Sequence, residues 1–321
     1  MKLAQIIDSY VSHKRSLGRR FESAAKIFRM LDRAIGPVEA DQIDHETVRA
    51  FLNGTKISSS WHTKYYAAHG LFRFAVQRGL LSSSPMPYLT PKRPAYAKPY
   101  IYSPQEIGHL LDATATLDVH YRKNGQRPGI QPQTLRTLIL LLYGAGLRLS
   151  EALSLRTDDV DLSAQCLVVR NTKFFKTRLL PIGPKLASAL ALYAENRIAL
   201  SRRPTTATVF FLDRRGGAIG RHTAERYFRI IRDRVGLKRR DGAYFQPRLH
   251  DLRHTFAVHR LVAWYRSEAD VQRLLPQLST YLGHLGLAET QHYLSMTPEL
   301  LREASRRFES YAGLEVSHDH Q

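Results

Sequence analysis

Gly146-Leu147-Arg148-Leu149-Ser150-Glu151 follows an apolar run that reads as a helix from about Gln133 to near Gly144. Roughly a hundred residues later comes Leu249-His250-Asp251-Leu252-Arg253-His254, and after it Leu282-Gly283-His284 and Tyr293. Arginines, histidines and a tyrosine in these segments suit one task, holding a phosphodiester while a phenol oxygen attacks it. Arginine presents a planar fork of donors that matches phosphate oxygens two at a time. Tyrosine can form a covalent intermediate that divides a hard displacement into two easier ones. Taken singly, each arginine could as well pair with Glu151 or Asp251. A lone tyrosine is ordinarily a half-buried packing residue.

Outward from these segments the pattern is mostly helical. Before them, Leu3, Ile6, Ile7, Tyr10 and Val11 form one apolar face, ended near Gly18. Phe21, Ala24, Phe28, Leu31 and Ile35 repeat it up to Gly36-Pro37. Asp44 is placed to cap a third helix, and a fourth spans about Ser59 to Gly79. Residues 82–100 change character, with three serines, then Pro85, Pro87, Pro91, Pro94 and Pro99 among Lys92, Arg93 and Lys98. Proline this dense favours an extended, stiff chain, so a linker is expected here. Ser103-Pro104-Gln105-Glu106 opens a helix with a Ser cap, Pro in the first turn and Glu reaching back. Residues 118–133 read as a surface loop. Leu167–Val169 and Leu179–Ile182 read as a β-hairpin turning through Asn171–Thr177. The expected domains are a helical bundle over 1–81, the linker over 82–100, a second domain over 101–312 and a tail over 313–321. The fold class is mainly α with a small β-sheet or hairpin (α+β).

The chain has 321 residues and a formal net charge of +20. Residues 1–95 carry 15 basic and 7 acidic side chains, and the remainder 33 and 21. Both domains are therefore basic, which points to a polyanion touched by both, DNA before a ribosomal or membrane-surface partner. The single cysteine, Cys166, excludes an internal disulfide and reads as a small core residue. There is no apolar stretch near the ~20 residues of a membrane span and no signal-peptide pattern. The expectation is a cytoplasmic, nucleoid-associated protein.

The three segments together resemble the tyrosine recombinase (phage integrase) family. That family's Gly-Leu-Arg-x-Ser-Glu motif matches residues 146–151 and its His-x-Leu-Arg-His motif matches 250–254. Its nucleophilic tyrosine stands nine residues after a Leu-Gly-His histidine, as Tyr293 does after His284. The resemblance covers roughly residues 100–310 and implies a helical, SAM-like DNA-binding domain ahead of a catalytic domain. It implies that Arg148 and Arg253 grip the scissile phosphate and that His250 aids proton transfer. His284 would hydrogen-bond the phosphate and Tyr293 would attack it. Lys173, on the hairpin, would protonate the leaving 5′-oxygen; Lys176, three residues later, is the rival. His254 is left an orienting role. His250 and His254, four apart, lack the Glu of a zinc-protease helix. No cofactor and no metal are implied.

The implied activity is site-specific DNA recombination through a 3′-phosphotyrosyl intermediate, for integration or resolution of a mobile element. The implied partners are double-stranded DNA with specific recombination sites and three further copies of the chain, a homotetramer clamped on paired sites. An accessory or partner recombinase is possible, and a membrane is not implied. Alternatives are Xer-like chromosome-dimer resolution, a type IB-like relaxing topoisomerase, and a DNA-binding protein without activity. One departure stands out: Arg253 and His284 are 31 residues apart, so Trp264 through Gln277 is expected to lengthen a helix or loop.

Overall fold

The computed structural model describes residues 1–18, 21–53, 59–87, 98–117, 129–170, 177–199, 208–243, 245–295 and 298–311. They fall into two compact units, one ending within the Pro-rich segment and one beginning there. The first contains α1 (Leu3–Ser16), α2 (Glu22–Ile35), α3 (His45–Asn53) and α4 (Ser59–Gln77). Leu3, Ile6, Phe28, Leu31, Leu52 and Phe72 fill its core, so the helical spacing marked the inward faces. The Asp44 carboxylate accepts the Thr47 backbone N–H at 2.8 Å and caps α3. Met86, inside the Pro-rich segment, is buried in this same core. The rest of that segment, residues 88–97, lies outside the described residues.

The second unit is built round α6 (Pro132–Ala145), which follows α5 (Pro104–Ala115). Leu135, Leu138, Ile139, Leu141 and Leu142 are all buried, covering more than one face of α6. A helix apolar on several sides belongs in the middle of a domain. It packs against α5 and, further along the chain, α8 (Pro184–Asn196) and α10 (Asp251–Arg266). Ser103 and Glu106 form the expected capping box of α5.

After α6 come the short α7 (Leu149–Ser154) and a three-stranded antiparallel sheet of β1 (Val160–Asp161), β2 (Cys166–Val169) and β3 (Arg178–Pro181). Leu167 faces Leu180 and Val169 faces Arg178 across β2 and β3. β1 was not anticipated; two residues carry no readable alternation. Cys166 is half-buried and not a core residue, because Leu167, Val169 and Leu180 take the inward side of the sheet. The turn of the hairpin, residues 171–176, lies outside the described residues.

α9 (Arg221–Arg234) precedes α10, and α11 (Val271–Leu282) follows it. The long 31-residue spacing resolves into a reversal at Ser267–Asp270, with Glu268 at φ 55° and Asp270 capping α11. Beyond α11 lie α12 (Ala288–Gln291), a 3₁₀ turn over His292–Ser295, and α13 (Pro298–Tyr311). Leu300 of α13 is buried with Phe256, Leu261, Leu278 and Tyr293 of the same unit. Two other large apolar side chains of α13, Leu301 and Phe308, stay exposed. The tail over 313–321 lies outside the described residues. Among the described residues no helix is long and apolar enough to cross a membrane.

Candidate active site

The site is assembled where two helices end. α6 stops at Gly146 and α11 at Gly283, both with positive φ (60° and 68°). At Gly146 a Cβ would sit 2.5 Å from the Phe256 ring and 2.9 Å from Leu282, so glycine is required by space as well as by backbone angle. The turn at Gly146 starts α7 with Arg148 as its first flanking residue. Glu151 reaches back to the Arg148 backbone N–H at 3.0 Å and to its Nη1 at 2.8 Å. Nη2 of Arg148 donates to the Gly283 carbonyl at 3.0 Å. Its side chain remains 30% exposed, so part of the guanidinium is open.

Arg253, in the first turns of α10, is only 2% exposed. It does not pair with Asp251, whose carboxylate is taken by Arg248 at 3.0 Å. Instead Nη1 donates to the Gly146 carbonyl at 2.8 Å and Nη2 to the Leu282 carbonyl at 2.7 Å. These two bonds join the helix ends and fix the plane of the fork, and a guanidinium has further N–H groups to offer an anion. Burial first, then the neighbouring charge of Arg148, lowers the Arg253 pKa to about 10, which leaves it cationic at neutral pH.

Tyr293 is 3% exposed and lies among imidazoles. Its hydroxyl is 3.2 Å from Nδ1 of His254. The His284 ring stacks on it with centroids 6.0 Å apart and planes 20° apart. His250 meets His254 edge to face at 5.0 Å. Nδ1 of His284 is bound to the Thr290 hydroxyl at 2.7 Å, which fixes the ring relative to α12.

Burial is the largest cause holding these histidines neutral, and nearby positive charge adds to it. His254 is lowered to about 3 by burial, with His250 and Arg253 adding to it. His284 is lowered to about 4 by burial and by Arg253 and Arg148, and His250 moves the same way. Glu151 is pushed up by burial, but hydrogen bonding and charge from Arg178 and bonds from Arg148 outweigh it, for a net value of about 2. Arg178, at the start of β3, donates to Glu151 Oε2 at 2.9 Å and to the Tyr281 carbonyl at 3.0 Å.

Arg148, Arg253, His250, His284 and Tyr293 are thus gathered at the two helix ends and the segment following α11. Lys173 and its rival Lys176 lie outside the described residues. Two contacts escaped the sequence. His254 received only an orienting role, yet it touches the Tyr293 hydroxyl; its place one turn from His250 was the available signal. Arg178, just ahead of the expected strand Leu179–Ile182, has no role in the sequence reading, because its carbonyl partner Tyr281 is remote in sequence. Among the described residues no group of three or more His, Cys, Asp or Glu is arranged to hold a metal ion.

Known proteins share these features. A family model described as the phage integrase family matches residues 104–299. A putative integrase/recombinase of Sinorhizobium fredii, y4rB, is 34% identical over 310 residues, covering 95% of this chain and 96% of that protein. The tyrosine recombinase XerD of Mycobacterium tuberculosis is 34% identical over 240 residues, 74% of this chain and 70% of its own length. In fold, the chain resembles the Tn1549 transposon integrase in complex with a circular intermediate DNA, at TM-score 0.65, 17% identity and coverage of 96% and 99%. It also resembles a lambda integrase dimer bound to a COC′ core site, at TM-score 0.63, 17% identity and coverage of 91% and 77%.

Proposed function

Because the chain belongs to the phage integrase family of tyrosine recombinases, and so breaks and rejoins DNA, we propose that Tyr293 is the nucleophile of a site-specific recombinase. The Tyr293 oxygen attacks the scissile phosphorus and the bond to the 5′-oxygen breaks. The DNA is left with a 3′-phosphotyrosyl link and a free 5′-hydroxyl, and reversal by another strand's hydroxyl rejoins it. Arg148 and Arg253 face the non-bridging oxygens, where charge builds in the transition state. Donors placed in advance stabilise that charge without reorganising, and one such donor is worth on the order of 10²–10³ in rate. His284 adds a hydrogen bond to the phosphate, and His250 shuttles a proton. Lys173 supplies the proton to the leaving oxygen: an ammonium of pKa ~10.4 readily protonates a far more basic alkoxide.

The observation that carries this reading is the meeting of Tyr293 with His284, whose preceding carbonyl, Gly283, also holds Arg148. One turn thereby supports the phosphate clamp and the nucleophile together. The experiment is a nicked duplex that traps the covalent adduct, taken from the DNA flanking the gene. Wild-type protein should form the adduct and Tyr293→Phe should bind without forming it. Adduct in the phenylalanine variant would assign the reaction to another tyrosine.

The DNA-binding role of the first unit, a homotetramer on paired sites and action in the cytoplasm at the nucleoid are parts of the same proposal. So is a mobile element as the object recombined, in preference to chromosome-dimer resolution. Native mass measurement on paired-site DNA tests the tetramer. Flanking DNA bounded by repeated cleavage sites would support the mobile element; a single chromosomal site would favour resolution of dimers.

A further inference from the structure

Arg178 is 12% exposed and is bound on two sides. On one side Nη1 and Nη2 reach both oxygens of Glu151, at 3.3 and 2.9 Å. On the other, Nε donates to the carbonyl of Tyr281 at the end of α11. The guanidinium closely approaches Gly283, where a Cβ would come within 2.7 Å of Nη1 and 2.9 Å of Cζ. Glu151 and Gly283 are also the two partners of the Arg148 fork, at 2.8 and 3.0 Å. Arg178 therefore touches both supports of Arg148 while itself being largely buried. The turn it presses on leads directly to His284.

We infer that Arg178 is a positioning residue of the cleavage reaction: by bracing Glu151 and the Tyr281–Gly283 turn, it aims Arg148 and seats His284. This rests on the recombinase reading of the site. Planar, two-sided bracing is something a guanidinium can do and a single ammonium cannot do at both contacts. A carboxylate with one arginine removed would also be left buried and less ionised, which loosens its hold on the Arg148 backbone and side chain. Small misplacements of a phosphate-binding group are costly in rate because the reacting atoms must be aligned.

The test is single-turnover adduct formation at saturating protein, on whichever nicked duplex from the flanking DNA the wild type cleaves. Arg178→Met should slow it roughly 10- to 100-fold with DNA affinity little changed. Arg178→Lys should recover part of the rate. Combining Arg178→Met with Glu151→Gln should be no slower than the worse single variant, since both remove one brace. If Arg178→Met does not fold, Arg178→Lys in the same combination carries the test. A wild-type rate in either Arg178 variant, or penalties that multiply in the double variant, would overturn the inference while the Tyr293-dependent adduct still stands. Absence of that adduct in the wild type would instead sink the recombinase reading, and this inference with it.

Discussion

Gly146 serves packing and chemistry at once. Its positive φ ends α6, its missing side chain admits Phe256 and Leu282, and its carbonyl receives Arg253. Gly146→Ala should cost about 2–4 kcal/mol, from the left-handed backbone and the forced displacement of packed rings. Urea unfolding measures it; a loss under about 1 kcal/mol would mean the ring moves freely. The histidines give a second expectation at this scale. His254 and His284 bind protons less readily folded, at about 3 and 4, than the ordinary 6.5 they would show unfolded. On acidification the unfolded chain takes up protons first, so their contribution to stability is present above about pH 6.5 and is lost as pH falls toward 4. Glu151 acts in the same direction lower down, between its ordinary 4.5 and about 2. The melting temperature should therefore fall steadily from pH 7 to pH 4. A His284→Asn variant should show a shallower fall; an unchanged pH slope would indicate that the ring is already solvated.

At the scale of elements, α13 is held to its own unit. Leu300 is buried beside Tyr293, and Arg266 binds Glu299 at 2.7 Å and Glu303 at 3.2 Å. Leu300→Ala should cost about 2–5 kcal/mol, as core truncations do. Phe308→Ala, at a side chain 64% exposed, should leave the melting temperature nearly unchanged. Equal losses at the two positions would mean that Phe308 packs in solution. The hairpin offers a chemical test. A sulfur in place of the 5′-bridging oxygen leaves without needing a proton, so Lys173→Ala should cleave that substrate almost normally and the natural one slowly. Equal defects on both would point to phosphate contact. Helices and caps could be read from the chain because their signals are local: the Ser103–Glu106 box and the stripe of α1 each fit within a few turns. Arg148, Arg253 and Tyr293 are singled out as candidates by motif spacing. Arg178 and β1 are not, since the meaning of the first depends on contacts more than a hundred residues away and the second is two residues long.

For the molecule as a whole, +20 spread over both units makes salt the natural probe. With roughly ten phosphates neutralised, log K against log salt should fall with a slope near −9. A flat response would rule out extended backbone contact. Within that positive field, the reaction centre keeps its own balance. Three guanidinium groups stand here with one carboxylate: Glu151 pairs with Arg148 and Arg178, and Arg253 rests on the Gly146 and Leu282 carbonyls. The remaining compensation comes from peptide carbonyls at the ends of α6 and α11, where each helix macrodipole presents roughly half a negative charge. Peptide dipoles cannot be protonated away, and they cancel less than the charge of the arginines they hold. A residual charge of about +1 is left on this cluster. That surplus suits an entering phosphodiester, and it makes the resting site a trap for small oxyanions: vanadate and sulfate should compete with DNA for it, the doubly charged ion more strongly than chloride at matched ionic strength.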